Sequence, residues 1–146
     1  MSSVKEYVLF KIGKNTWGIE LLLVQEIIKP VPITEVPKAP RGVMGVINLR
    51  GEVVPMINLA DVMGFEFEKS KKNRVLIVKI GTRTFGFLIE ELLEIAYLKE
   101  EDVDHIRETL PDFAPEFIES VADKDGKIVY ILNPEDVINY LEGEAV

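Results

Sequence analysis

The sequence contains no cysteine and a single histidine, His105, among its 146 residues. Without cysteine the chain can form no disulfide and offers no thiolate ligand, and one histidine is too few for the usual zinc ligand sets. No apolar run approaches the roughly 20 residues that span a bilayer. The N-terminal segment also lacks the apolar core and cleavage site of a secretory signal. The chain is therefore most simply interpreted as a cytoplasmic protein that does not insert into membranes.

Basic residues are also in deficit: 17 Lys and Arg stand against 25 Asp and Glu, which gives a formal net charge of −8. Acidic residues are concentrated between Glu90 and Glu119. This segment contains eleven Asp or Glu residues and only two basic residues, Lys99 and Arg107. The one basic cluster, residues 69–74, has no interleaved aromatic side chain and is interpreted as a solvated linker. Because phosphate binding needs a basic surface, nucleic acid and anionic lipid are poor candidate partners.

The chemistry of an enzyme is hard to find in this chain. His105 has no serine or cysteine nucleophile motif near it, and neither glycine-rich phosphate-binding motif is present. The carboxylates of Glu90 and Glu91 are adjacent and would point apart in a strand. The stretch "DKDGK" lacks the later bidentate acid of a calcium loop. The sequence therefore predicts no catalytic residue, no cofactor and no metal.

The chain repeats itself. Residues 7–28 and 75–96 align without a gap and share seven identities at an offset of 68, with Trp17 opposite Phe85. Residues 48–62 and 123–137 align at an offset of 75 and share five. Both segment pairs occur in the same order, so the chain is interpreted as an internal duplication with a longer central insertion in the second half.

Each repeat predicts several short strands joined by tight turns. The glycine-bearing steps Arg50-Gly51 and Asp125-Gly126 predict hairpin turns, and Pro55 favours an edge strand because it cannot donate to a ladder. The segments "LLLVQEII" and "IEELLEI" are undecided between strand and helix. Short strands at this spacing predict two similar β-barrel lobes, at about residues 1–68 and 69–146, with Trp17 and Phe85 in their cores.

Each repeat is expected to end on a short helical turn, and the second to continue into a C-terminal helix at about residues 134–142. Asn133 is a favourable N-cap, Pro134 suits the first helical position, and Gly143 is the expected C-cap.

Several motifs together resemble the CheW family of bacterial chemotaxis coupling proteins. They are "WGIELLLVQEII", "PITEVPKAP" and "GVINLRGEVVPMINLADVMG", and the resemblance covers about residues 7–141. It implies a single CheW-like domain, residues 1–146, of two SH3-like five-stranded barrels. It also implies a non-enzymatic adaptor that couples chemoreceptors (methyl-accepting chemotaxis proteins) to the histidine kinase CheA, monomeric alone and part of a larger array.

The same resemblance assigns the partner surfaces. The kinase regulatory domain is expected at exposed barrel ends, and the cytoplasmic tip of the receptor in the groove between the lobes. Arg50 and Glu26 are expected to pair and hold the edge of that groove, although a solvated turn would also accommodate Arg50. Val24, its repeat equivalent Leu92, and Ile95 are expected to supply apolar groove contacts, and simple core packing is the alternative for them.

Other interpretations stay open at this point. The closest alternative is an excised regulatory domain of CheA, and a fragment of a related adaptor that carries a receiver domain is a second one, although the chain length favours a stand-alone adaptor over the latter. A start at Met1 just before the first strand favours the stand-alone adaptor. A small enzyme using carboxylates in a cleft, or an SH3-like binder of proline-rich peptides, has less support. The acidic connector from Glu100 to Glu119 has no assigned role.

Overall fold

The computed structural model describes residues 4–104 and 115–144, and it confirms the expected mainly β fold. His105 and the middle of the acidic connector lie outside the described residues. Short 3-10 turns precede β3, β9 and β10. The strands are β1 Val4–Ile12, β2 Asn15–Glu20, β3 Val24–Ile28, β4 Val43–Leu49, β5 Glu52–Asn58, β6 Arg74–Ile80, β7 Arg83–Ile89, β8 Glu91–Lys99, β9 Val103–Asp104, β10 Ile118–Lys124 and β11 Lys127–Leu132, and the helices are α1 Leu59–Met63 and α2 Pro134–Glu144.

The described strands form two sheets that exchange strands between the repeats. Sheet 1 has the order β8-β1-β2-β11-β10-β9, and sheet 2 has the order β3-β6-β7-β5-β4. The hairpin β1–β2 thus pairs with strands of the second repeat, and β6–β7 pairs with strands of the first. Dividing the chain at residue 68 therefore does not separate the two lobes. That expected boundary is wrong because strand pairing here is long-range, and local sequence does not encode it.

The pairing pattern itself is duplicated. When each strand is replaced by its repeat equivalent, the order of sheet 2 becomes β8-β1-β2-β11-β10, which is the order of sheet 1 without its sixth strand, β9. Both sheets also contain one parallel ladder in matching register, with Gly18 opposite Ile131 in sheet 1 and Gly86 opposite Met56 in sheet 2. The internal duplication inferred from sequence is therefore also a structural one.

The proline-rich connector of the first repeat runs without a regular strand and touches sheet 2 through one bridge. Thr34 and Val46 exchange two backbone hydrogen bonds of 2.9 Å. The equivalent contact in sheet 1 is β9, where Asp104 pairs with Val121. Gly45 allows this approach, because a Cβ built at its φ of +144° would lie 2.1 Å from the Thr34 carbonyl oxygen.

The largest apolar cluster, called the central core, lies between the sheets. Trp17 and Phe85 are both buried in it, as expected for core residues, but they pack between the sheets rather than inside one barrel. Each sheet also encloses a smaller cluster of its own, around Leu9 and Ile131 in sheet 1 and around Ile77 in sheet 2. Burying each large aliphatic or aromatic side chain contributes roughly 1.5–3 kcal/mol, so the shared core ties the two sheets together.

Both predicted helices form, each capped by an asparagine. The side chain of Asn58 accepts from the Asp61 amide at 3.2 Å, and that of Asn133 accepts from the Glu135 amide at 3.0 Å. The expected C-cap at Gly143 is wrong, because α2 continues through it to Glu144. Glycine at this position takes no left-handed conformation, so the helix ends later than its composition suggests.

The expected edge position of Pro55 is also wrong. Strand β5 lies between β4 and β7, inside sheet 2. The proline is tolerated because the parallel ladder to β7 pairs only Met56, Ile57 and Asn58. Pro55 precedes that ladder and faces Val46 of β4, so it breaks no interior pairing with β7.

A buried carboxylate fixes the junction between β7, β8 and the linker. Glu90 accepts from the amide of Gly13 at 2.7 Å and from the amide of Glu68 at 2.8 Å. Asn73 donates its side-chain amide to the carbonyl oxygens of both Glu68 and Glu90. Glu91, which follows Glu90 in the chain, instead forms an ion pair with Lys72 at 3.7 Å. The two adjacent carboxylates therefore diverge, although Glu90 lies at the bend between β7 and β8 and not in a strand.

Candidate protein-binding site

The hairpin turn between β4 and β5 presents Arg50 at its apex. Arg50 and Gly51 both take positive φ, 51° and 87°, and the side chain of Asn48 accepts from the Gly51 amide at 2.8 Å. Two successive left-handed residues form the turn that matches strand twist, and the first of them is usually Asn, Asp or Gly. Placing an arginine there costs roughly 1–2 kcal/mol. The turn therefore holds Arg50 in a backbone conformation that an arginine rarely adopts.

The partner of Arg50 is Glu26, as expected, and the two side chains form a two-pronged ion pair. One guanidinium nitrogen of Arg50 lies 3.4 Å from Oε2 of Glu26, and the other makes a shorter hydrogen bond to Oε1. Glu26 is on β3 and Arg50 follows β4, and these are the two outer strands of sheet 2. The pair, called the seam pair below, therefore joins the two edges of the sheet and closes the barrel at this end.

The seam pair is open to solvent. The side chain of Arg50 is 71% exposed and that of Glu26 is 30% exposed. The hydrogen bond from Arg50 to Glu26, together with the charge of Glu26, raises the pKa of the guanidinium. Exposed ion pairs add little stability, but a fork-to-fork geometry fixes orientation. The pair therefore shapes a surface rather than holding the fold together.

The three apolar residues expected in the groove separate into two groups. Val24 and Leu92 are half-buried and pack against the central core, which agrees with the core-packing alternative. Ile95 is 50% exposed on β8 and offers apolar surface to a partner. The described contacts bring Arg50 and Glu26 together on sheet 2, while Leu92 and Ile95 lie on the edge strand of sheet 1.

Sequence reasoning missed Tyr97, which is 66% exposed two residues beyond Ile95. Between and after them, Ala96 and Leu98 are buried. This period-2 alternation was a usable signal, because alternate residues of a strand face opposite sides of a sheet. Ile95 and Tyr97 thus form a short apolar row on an outer strand.

The hairpin ends carry a second pair of exposed residues that the sequence did not single out. Val53 is 64% exposed beside the Arg50 turn, and Ile128, its equivalent at an offset of 75, is 58% exposed beside the Asp125 turn. Each barrel therefore presents a β-branched side chain at the same end. The residues that the structure describes contain no group of three or more His, Cys, Asp or Glu side chains that could hold a metal ion.

Comparison with known proteins decides the family. The CheW-like domain family matches residues 6–142. The chain belongs to this family. It is 35% identical over 136 residues to the chemotaxis protein CheW of Helicobacter pylori, covering 92% of this chain and 82% of that protein. It is 26% identical over 142 residues to CheW of Rhizobium meliloti, covering 97% and 92%.

A solved structure agrees with the sequence relatives. The scaffolding protein TtCheW of Thermoanaerobacter tengcongensis superposes with a TM-score of 0.84 at 29% identity, covering 90% of both chains. The protein is thus a CheW-like chemotaxis scaffold with two SH3-like barrel lobes. No helix among the described residues of this CheW-like protein is long and apolar enough to span a bilayer.

Proposed function

We propose that this protein is a non-enzymatic adaptor that couples chemoreceptors to the histidine kinase CheA in the cytoplasm. The observation that carries the proposal is the match to CheW proteins over nearly the whole chain, including a relative at 35% identity. An adaptor needs two surfaces that can be occupied together, so that receptor conformation biases the kinase through a shared scaffold. It needs no reacting group.

The receptor tip is proposed to lie in the groove between the lobes. In this proposal the seam pair on sheet 2 forms the edge of the groove, and the exposed row of Ile95 and Tyr97 on sheet 1 supplies its apolar contact. An amphipathic helical hairpin is a suitable occupant, because it can lay an apolar stripe against such a row and place polar residues at a charged edge. Arg50, held by Glu26, gives this surface a fixed donor.

The regulatory domain of the kinase is proposed to dock on the barrel ends. Val53 and Ile128 supply exposed apolar side chains at equivalent ends of the two lobes. Since the kinase domain in this family is expected to have the same two-barrel fold, end-to-end pairing of barrels would bury these side chains. Isolated, the protein is expected to be monomeric and to join a larger array only with its partners.

The test is isothermal titration calorimetry against the isolated kinase regulatory domain and against a soluble receptor-tip hairpin. Arg50→Ala and Glu26→Ala are expected to keep kinase binding and to weaken receptor binding at least ten-fold. Arg41→Ala is the control, because the side chain of Arg41 is as exposed as that of Arg50 and forms an ion pair with Asp61 at 3.2 Å. The double variant Glu26→Arg with Arg50→Glu restores the pair and is expected to recover part of the receptor affinity.

Two results would contradict the proposal. Absence of kinase binding at concentrations well above micromolar would refute the proposed coupling function. Equal loss of receptor binding in Arg41→Ala and Arg50→Ala would show that the seam pair is not part of the receptor surface. The proposed coupling function itself would not be contradicted by that result.

A further inference from the structure

Two cavities occupy equivalent positions in the two barrels, at the ends opposite the hairpin turns. The sheet-1 cavity, about 280 Å³, lies where β1 and β10 begin and β2 ends; the sheet-2 cavity, about 420 Å³, lies where β4 and β6 begin and β7 ends. Their linings correspond residue by residue at the repeat offsets of 68 and 75: Tyr7 with Val75, Glu20 with Leu88, Leu98 with Pro30, and Glu119 with Met44.

The two cavities differ in chemistry. The sheet-2 cavity is lined mostly by apolar side chains such as Met44, Val75 and Leu88. The sheet-1 cavity places the carboxylates of Glu20 and Glu119 at the positions of Leu88 and Met44. The fold itself accepts apolar residues at these positions, as sheet 2 demonstrates. Glu119 is exposed and Glu20 is half-buried, so both carboxylates are solvated, and the contrast with sheet 2 is the negative charge that they place at the cavity mouth.

Two largely buried residues with hydroxyl groups line the sheet-1 cavity as well. Tyr7 is 7% exposed and Ser120 is 5% exposed, and among the described residues neither side chain makes a hydrogen bond. Their hydroxyl oxygens are open to the cavity and can accept from a ligand. Desolvation raises the pKa of Tyr7, and the charges of Glu20 and Glu119 raise it further, which places both carboxylates near the hydroxyl. Two carboxylates and two hydroxyl groups thus line one small space.

Among the described residues that line the cavity, Lys5 is the only cation, and it stands against the carboxylates of Glu20 and Glu119. Its Nζ lies 4.0 Å from Glu20, with the lysine side chain 59% exposed. Glu119 has no ion-pair partner among the described residues. The described part of the lining therefore carries a net negative charge and oxygen acceptors, without a matching number of fixed donor groups.

We infer that the sheet-1 cavity binds a guanidinium group, the side chain of an arginine presented by a partner protein. A guanidinium has five N–H donors in a planar fork and a permanent charge, which suits two carboxylates and two hydroxyl oxygens better than the compact ammonium of lysine does. The cavity is large enough for one long side chain and opens at a barrel end, where a protein surface can reach it. The inference holds whichever protein presents the arginine.

The test uses the full-length ¹⁵N-labelled protein and needs neither kinase nor receptor, so its outcome is separate from that of the coupling function. A blocked Gly-Arg-Gly peptide is titrated while the amide shifts of Tyr7, Glu119 and Ser120 are followed. Saturable shifts confined to the sheet-1 cavity are expected, with a dissociation constant in the millimolar range typical of single-group binding. The isosteric but neutral citrulline peptide is expected to bind at least ten-fold more weakly.

Variants identify the groups responsible. The double variant Glu20→Gln with Glu119→Gln is expected to weaken peptide binding at least ten-fold. Glu6→Gln with Glu94→Gln, which removes the same charge at exposed positions outside the cavity, is expected to leave binding unchanged. Tyr7→Phe removes only the hydroxyl and is expected to weaken binding about three-fold. Thermal unfolding checks that each variant is folded.

Three outcomes would overturn the inference. They are equal binding of the arginine and citrulline peptides, equal loss of binding in the cavity and control double variants, and tighter binding of spermidine than of the arginine peptide. The last would show that the cavity takes a free polyamine rather than a side chain of a protein.

Discussion

Arg50 and Asp125 occupy the same position of two equivalent hairpin turns, with φ angles of 51° and 53°. Both turns are closed in the same way, since Asn48 and Asp123 each accept from the following glycine amide at 2.8 Å. The backbones are duplicated while the charges are opposite. Arg50 finds Glu26 across the edges of sheet 2, but Asp125 would meet Glu94, the repeat equivalent of Glu26, across sheet 1. Only one barrel can therefore have a seam pair.

Asp125→Arg should create a second seam pair. The arginine would occupy the same left-handed turn position as Arg50, and Glu94 is exposed on the outer strand β8. A crystal structure of the variant is expected to show the new guanidinium within hydrogen-bonding distance of Glu94. An arginine that points to solvent instead would mean that the edges of sheet 1 are farther apart than those of sheet 2.

Glu90→Ala should lower the free energy of unfolding by about 3 kcal/mol. The change leaves the buried amides of Gly13 and Glu68 without their acceptor, and each unsatisfied buried donor costs about 1–3 kcal/mol. Urea denaturation measures the effect. Glu91→Ala is the control, because its ion pair with Lys72 is exposed and should be worth no more than about 0.5 kcal/mol. Equal losses in the two variants would refute the structural role of Glu90.

Gly45→Ala should destabilise the protein by roughly 3 kcal/mol or more, because the new Cβ would lie 2.1 Å from the Thr34 carbonyl oxygen and the connector would have to move. Gly81→Ala separates this collision from backbone strain alone. Gly81 has a φ of +63° and open space around it, so its replacement should cost about 1–2 kcal/mol. Similar free energies of unfolding for Gly45→Ala and Gly81→Ala would show that the connector moves away from the new Cβ without a measurable loss of stability.

Tyr7 should contribute a fall in stability at high pH. Burial raises its pKa in the folded state, with Glu20 and Glu119 adding to the effect. In the unfolded chain the phenol ionises near pH 10, so above about pH 10 the unfolded state loses its proton first and gains stability. The contribution of Tyr7 is fully present below that pH and is lost as the pH rises towards the folded-state pKa. Tyr7→Phe is expected to flatten the fall in urea-denaturation stability above about pH 9; an unchanged slope would contradict this.

The features that the sequence predicted correctly are mainly local ones. The Arg50-Gly51 turn and the Asn133 cap follow from residue chemistry over two to four positions. The pairing of Arg50 with Glu26 came from the family resemblance, and the structure explains it by the meeting of two outer strands. The sequence could not predict that Val24 is half-buried while Ile95 is exposed. Both are branched aliphatic residues on outer strands, and only tertiary contacts determine which of them is covered.

What the sequence did not predict is long-range. The hairpin β1–β2 could pair within its own repeat or with the other one, and its residues are compatible with both. The contrast between Glu20 and Leu88 is visible in the alignment of the repeats, but it acquires meaning only when the structure places both at the mouths of equivalent cavities. The position of Pro55 inside sheet 2 depends in the same way on where the ladder to β7 begins.

The exchange of hairpins between repeats has a consequence for how such a chain can arise. A polypeptide of one repeat would contain β1 to β5 but would lack the strands that β1–β2 pairs with, so it could complete a barrel only by giving its hairpin to a second copy. Its stable form would be a two-fold symmetric homodimer with reciprocally swapped hairpins. Joining the two copies into one chain removes the dependence on concentration, and it frees each copy to diverge. An arginine could then appear at one turn and an aspartate at the other, and acids in one cavity and aliphatic side chains in its counterpart.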